Sequence, residues 1–162
     1  MIATVVAGGI AATVIDLRTR RVPNWLTALL LSSGVLFAAG DISGLSLWAS
    51  LAGLALGLVL MLPGHLVGAT GAGDVKLFAA VGALIGPAHI VPAFLYTALA
   101  GGVMAIIVAL GRRRLRQTIG GTARLITTAA ANVSTIEGPL EHNRFAYAPA
   151  IAVGATLAAL GL

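Results

Sequence analysis

Cysteine is absent from this chain, which excludes disulfides, thiolate zinc sites and thiol nucleophiles. Charge is scarce as well. Only 9% of the residues are Asp, Glu, Lys or Arg, where an ordinary soluble domain carries about a quarter. Acids are the scarcest class, with five in all: Asp16, Asp41, Asp74, Glu137 and Glu141. The opening Met1-Ile2-Ala3-Thr4 has no basic residue, and the first arginines follow the first apolar run instead of preceding it. That order argues against a secretory signal peptide. No internal repeat or low-complexity tract is evident.

What remains is apolar. Of 162 residues, 59% are hydrophobic, and the mean hydropathy is +1.02. Such a chain cannot cover itself with polar surface, so its solvent is lipid. The net charge of +5 and the pI near 11.2 invite a nucleic-acid reading. That reading fails, because the basic residues form short clusters between apolar runs and not a basic folded face. The positive-inside rule accounts for them more economically.

Apolar runs fall at 2–15, 25–40, 45–63, 75–88, 90–110 and 145–162. A bilayer core needs about 20 helical residues, so the first two helices are expected to extend into flanking polar residues or to sit in thinned bilayer. The ten basic residues occupy three segments. Arg18, Arg20 and Arg21 follow the first run, Lys76 follows the third, and Arg112, Arg113, Arg114, Arg116, Arg124 and Arg144 follow the fifth. In a six-span arrangement all ten lie on one side. The expected fold class is therefore an all-α polytopic membrane protein with six spans and both termini outside, in the inner (plasma) membrane. The pair 75–88 and 90–110 has an alternative, one long element kinked around Pro87 and Pro92. Residues 117–136 carry an apolar stripe at Ile119, Ala123, Ile126, Ala130 and Val133. The spacing predicts a helix lying in the cytoplasmic interface, with a seventh span as the competing reading.

Two acids stand apart. Asp16 closes the first span in DLRTRRVPNWLT, and Asp74 opens the fourth in GATGAGDVKLFA. The topology puts both at the cytoplasmic face. Two neighbouring carboxyl groups share a proton. One can then deprotonate a water while the other protonates the leaving amine, which is the requirement of aspartic peptide hydrolysis. Gly71 and Gly73 let backbone approach where a side chain would block it. Taken singly, Asp74 also reads as a helix cap and Asp16 as an interfacial residue paired with arginine. A proton- or cation-coupled transporter using both carboxylates, and a catalytically silent assembly subunit, stay open on these residues alone. Asp41 reads as a solvated turn residue.

The segments Asp16–Thr27 and Gly71–Lys76 (GAGDVK) together resemble the two signature segments of the type IV prepilin peptidase family of GxGD intramembrane aspartic proteases. The run Tyr147–Gly154 resembles its last helix. The short form is similar to peptidases of tight-adherence (Flp) pili and to archaeal preflagellin peptidases. The resemblance implies that Asp16 and Asp74 are the catalytic pair. It further implies cleavage of a short basic leader from prepilin-like substrates, just before their hydrophobic helix, at the cytoplasmic face. It implies one peptidase domain over residues 1–162, without the cysteine-bearing portion and methyltransferase activity of larger members.

Several neighbours have expected roles. Lys76 and Arg18 orient the dyad, meet substrate or anchor the interface. Pro23 and Asn24 lead the chain into the second helix, with Asn24 as its cap and Trp25 at the interface. Arg112–Arg116 meets anionic lipid. The small-residue patterns Gly53–Gly57 and Gly82–Gly86 pack helices closely. His65, His89 and His142 have no metal-ligand spacing, and neither metal nor cofactor is expected. The expected partners are the prepilin-like substrate and membrane lipid, not nucleic acid.

Overall fold

The computed structural model describes residues 1–111 and 147–161. These contain five helices and no strand: α1 (Ile2–Thr19), α2 (Asn24–Ala39), α3 (Leu47–Leu66), α4 (Ala72–Gly111) and α5 (Ala148–Ala159). The expected all-α class holds over this part of the chain. The segment 117–136, the Arg112–Arg116 cluster, Arg124, Arg144, Glu137, Glu141 and His142 lie outside the described residues.

Short-range chemistry sets the helix ends. α1 runs past its apolar stretch through Asp16 and Arg18, as its shortness requires. It stops where Arg20 turns left-handed, at φ 53° and ψ 33°, and donates its N–H to the Asp16 carbonyl oxygen at 2.7 Å. Pro23 takes the cap position of α2 at φ −72° and ψ 142°, and no side chain caps that helix. The capping role expected of Asn24 is therefore corrected. Proline's fixed φ suits the extended cap geometry, which moves Asn24 one place on, to the first helical residue. α3 has a side-chain cap, Ser46 Oγ accepting the Ala49 N–H at 3.1 Å.

α4 doubles back on itself. Gly86 sits at φ 77° and ψ 176°, a conformation open to glycine and closed to residues with a Cβ. Pro87 follows and disfavours helical geometry at the residue before it. Phe78 and Phe94 stand eight residues either side of Gly86, and their rings meet edge to face with centroids 6.1 Å apart. A straight helix would separate them by about 24 Å. The halves 72–85 and 87–111 therefore run antiparallel, and the single kinked rod is excluded.

The half 72–85 is the centre of the bundle, with Leu77, Phe78, Ala80, Val81, Leu84 and Ile85 all buried. α2 and α3 pack on one side of it and the 87–111 half with α5 on the other, while α1 packs chiefly on α5. Glycine sets the closest approaches. A Cβ on Gly53 would run into the Gly82 carbonyl oxygen and lie 2.8 Å from the Gly86 Cα. The small-residue patterns thus fasten α3 to α4 within the chain. Buried Ser50 reinforces this seam by donating to the Ala83 carbonyl oxygen at 2.8 Å.

The outward face is apolar: Leu29, Leu36, Trp48, Val59, Leu99 and Ile107 are all exposed. Three stretches are long and apolar enough to cross a membrane, Ile2–Thr19, Leu47–Leu66 and Ala72–Val108, and α2 and α5 are shorter apolar helices. The chain reads as a multi-pass membrane protein whose lipid-facing surface is as hydrophobic as its core.

Candidate active site

The end of α1, the 20–23 turn and the starts of α4 and α5 meet at one end of the bundle, where both conspicuous acids lie. Asp74 is in the first turn of α4 and is 8% exposed. Its Oδ2 accepts the Gly71 N–H at 3.1 Å, and the Asp74 N–H donates to the Gly71 carbonyl oxygen at 3.0 Å. This reciprocal pair resembles a capping box, with Asp74 as the third helical residue reaching back to the cap. The helix-capping reading of Asp74 is thus partly met, and it fixes the plane of the carboxyl group. A Cβ on Gly73 would lie 3.2 Å from Val22 Cβ and 3.3 Å from Val22 O. The second glycine of the GAGD run is what allows this turn to press against the α1–α2 connection.

Asp16 sits in the last turn of α1 at 4% exposure. Its Oδ2 accepts the N–H of Ala148, the first residue of α5, at 3.2 Å. Each buried acid is therefore held through one oxygen by a main-chain amide at a helix start. Such amides carry partial positive charge, which suits a carboxylate placed away from water.

The charged neighbours divide differently from expectation. Arg18 is exposed, and the guanidinium whose charge acts on Asp16 belongs to Arg20. Lys76 is exposed and points away from Asp74, since two residues turn a helix by about 200°. Its Nζ donates to Asn24 Oδ1 at 3.1 Å. This bond and the Gly73–Val22 contact tie the two sequence segments together, leaving Asn24 a cross-segment partner in place of a cap. Pro23 is half-buried beside them. A cleft of about 310 Å³ between α2, α3 and α4 opens next to the pair, lined by Asn24, Thr27, Leu31, Leu54, Leu58 and Lys76 among others. It lies across α4 from Asp74.

Tyr147, immediately before α5, was not singled out as a site residue from sequence, although it is one of only two tyrosines. It is half-buried, and its ring lies against the second arm of α4 at Gly101. Its neighbour Ala148 is the residue whose main-chain amide meets Asp16. His65 Nδ1 meets the Thr70 carbonyl oxygen at 3.1 Å, and His89 Nδ1 meets that of Ile85 at 3.2 Å. Both are local contacts, and among the described residues no three His, Asp or Glu side chains gather as metal ligands would.

Comparison with protein families matches the chain to the type IV leader peptidase family over residues 3–106. That stretch contains both acids and the glycine turn. The comparisons with curated proteins and with solved structures give no match.

Proposed function

Because the chain belongs to the type IV leader peptidase family, whose members process prepilin-like proteins, we propose that it is an aspartic endopeptidase using Asp16 and Asp74 as its dyad. The observation that carries this reading is the burial of both acids at one end of the bundle, where the turn before Asp74 presses on the connection that follows Asp16. The rival transporter would place its carboxylates near the bilayer midplane on discontinuous helices. Here they sit at helix ends.

In the reaction one carboxylate takes a proton from a water lying between the acids. The hydroxide adds to the scissile carbonyl carbon. The protonated partner gives its proton to the leaving amine as the C–N bond breaks. Two carboxyl groups and a water suffice, so no cofactor enters. Six spans follow if each arm of the α4 hairpin crosses once and α2 and α5 cross in thinned bilayer. Both termini then lie outside, and the acids face the cytoplasm on the side of the basic residues. The substrate is a prepilin-like protein whose basic leader stays in the cytoplasm while its apolar helix occupies the membrane. Residues 1–162 act as one peptidase unit, and no methyl transfer is assigned to them.

The test is leader removal from a small protein having a basic leader, a glycine and a long apolar helix, followed by gel shift in membranes. Asp16→Asn and Asp74→Asn are each expected to abolish the shift while the protein still inserts. Cleavage at the parent rate by either variant would remove the dyad from the mechanism.

A further inference from the structure

The Thr70–Gly71 peptide group, just ahead of α4, is hydrogen-bonded along both of its edges. Its N–H belongs to Gly71 and donates to Asp74 Oδ2 at 3.1 Å. Its C=O belongs to Thr70 and meets His65 Nδ1 at 3.1 Å. A carbonyl oxygen only accepts, so His65 carries a proton on Nδ1 in this contact. A peptide group is one rigid plane whose C=O and N–H point opposite ways. A hold on the carbonyl therefore also fixes the direction of the amide, and it polarises that amide toward its own acceptor.

The surrounding chain builds this contact. His65 lies in the last turn of α3. Gly68, at φ 75°, turns the connection back. The Ala69 and Thr70 N–H groups then both donate to the Gly64 carbonyl oxygen, at 2.8 and 3.2 Å. These bonds return Thr70 to the end of α3, within reach of the imidazole. A histidine bonded to a carbonyl near a helix C-terminus is by itself an ordinary end contact. What distinguishes this one is the far edge of the same peptide group, which ends on a buried acid.

We propose that His65 is a positioning residue for Asp74, acting through the Thr70–Gly71 peptide group. Its Nδ1–H sets the plane whose amide orients the Asp74 carboxyl group. The effect on rate rests on the peptidase reading. The hydrogen-bonded chain from imidazole to peptide to carboxyl group does not. His65 is exposed and acts at one remove from the acid, so its loss changes turnover more than substrate affinity.

His65→Phe keeps an aromatic ring and removes the donor. It is expected to lower kcat about 5-fold with KM within about 2-fold. His65→Asn returns an N–H donor at the same remove from Cα as Nδ1, and is expected to restore kcat to within about 2-fold of the parent. His89→Phe is the control, because His89 Nδ1 makes the same kind of contact with the Ile85 carbonyl oxygen, at 3.2 Å, and parent kinetics are expected. A His65→Phe enzyme with parent kcat overturns the proposal. So does a His65→Asn enzyme as slow as His65→Phe, or an equal loss in His89→Phe. If His65→Phe does not accumulate in the membrane, His65→Ala carries the same kinetic test.

A second measurement does not depend on cleavage. In the Asp16→Asn protein, the infrared carboxyl band that disappears on Asp74→Asn should shift when His65→Phe is added and return with His65→Asn. An unchanged band overturns the link whatever the activity. A shifted band in a parent protein that cleaves no leader would keep the link and refute the peptidase.

Discussion

Replacing Gly73 by alanine adds one carbon where the two sequence segments press together, and the structure sets the scale of the result. The new Cβ would stand 3.2 Å from Val22 Cβ and 3.3 Å from Val22 O, against an ordinary carbon–carbon separation of about 3.5–4.0 Å. The α1–α2 connection and the start of α4 must then part by roughly 0.5 Å. Misplacement of reacting groups by 1 Å costs about 100-fold in rate, so half of that displacement predicts a loss of roughly 10-fold, about 1.4 kcal/mol in the barrier. Overpacking at a loop that can yield should cost stability only near the lower end of the usual range of about 1–3 kcal/mol. The assay is kcat/KM for leader removal in detergent, set beside thermal unfolding of the same preparations. Parent activity in Gly73→Ala would refute the claim that this contact registers the two acids. A rate loss matched by wholesale unfolding would show the glycine to be a packing residue alone.

Three further outcomes are expected. The Lys76–Asn24 hydrogen bond is exposed, so a double-mutant cycle with Lys76→Met and Asn24→Ala should give a coupling of no more than about 1 kcal/mol in stability; a much larger coupling would contradict the solvated geometry. Gly53→Ala forces a Cβ onto the backbone of Gly82 and Gly86, with no side chain to swing aside, and should destabilise by about 3 kcal/mol or more in a denaturant titration. Thr97 is 1% exposed and its hydroxyl has no hydrogen-bond partner among the described residues, so Thr97→Val should stabilise by about 1 kcal/mol, read as a raised Tm.

Much of this architecture is legible in the sequence because lipid imposes simple rules. Hydropathy locates every described helix, and the small-residue patterns at Gly53 and Gly82 foretell the α3–α4 seam. Gly86-Pro87 marks the reversal, but the sequence also allows a kinked rod, which only the Phe78–Phe94 contact removes. The two acids stand out because a carboxylate in an apolar chain is conspicuous. Their surroundings do not. Arg18 and Arg20 are two residues apart, and no local pattern says which of them bears on Asp16. Asn24 follows a proline whose fixed φ suits the cap position, a competition that residue preferences alone decide wrongly. The Asp16–Ala148 hydrogen bond joins residues 132 apart, so no local pattern announces it. Tyr147 offers one signal, an aromatic two residues ahead of Pro149 at a helix start.

The reversal at Gly86 also bears on how the chain is made. From Leu77 to Gly111 there is no Lys, Arg, Asp or Glu, so a nascent hairpin could enter the bilayer with both arms already paired and its tip carrying no ionic burden across. Biogenesis would then deliver Asp74 and Gly101 back to the same leaflet in a single insertion event, before α5 is synthesised to pack against that arm.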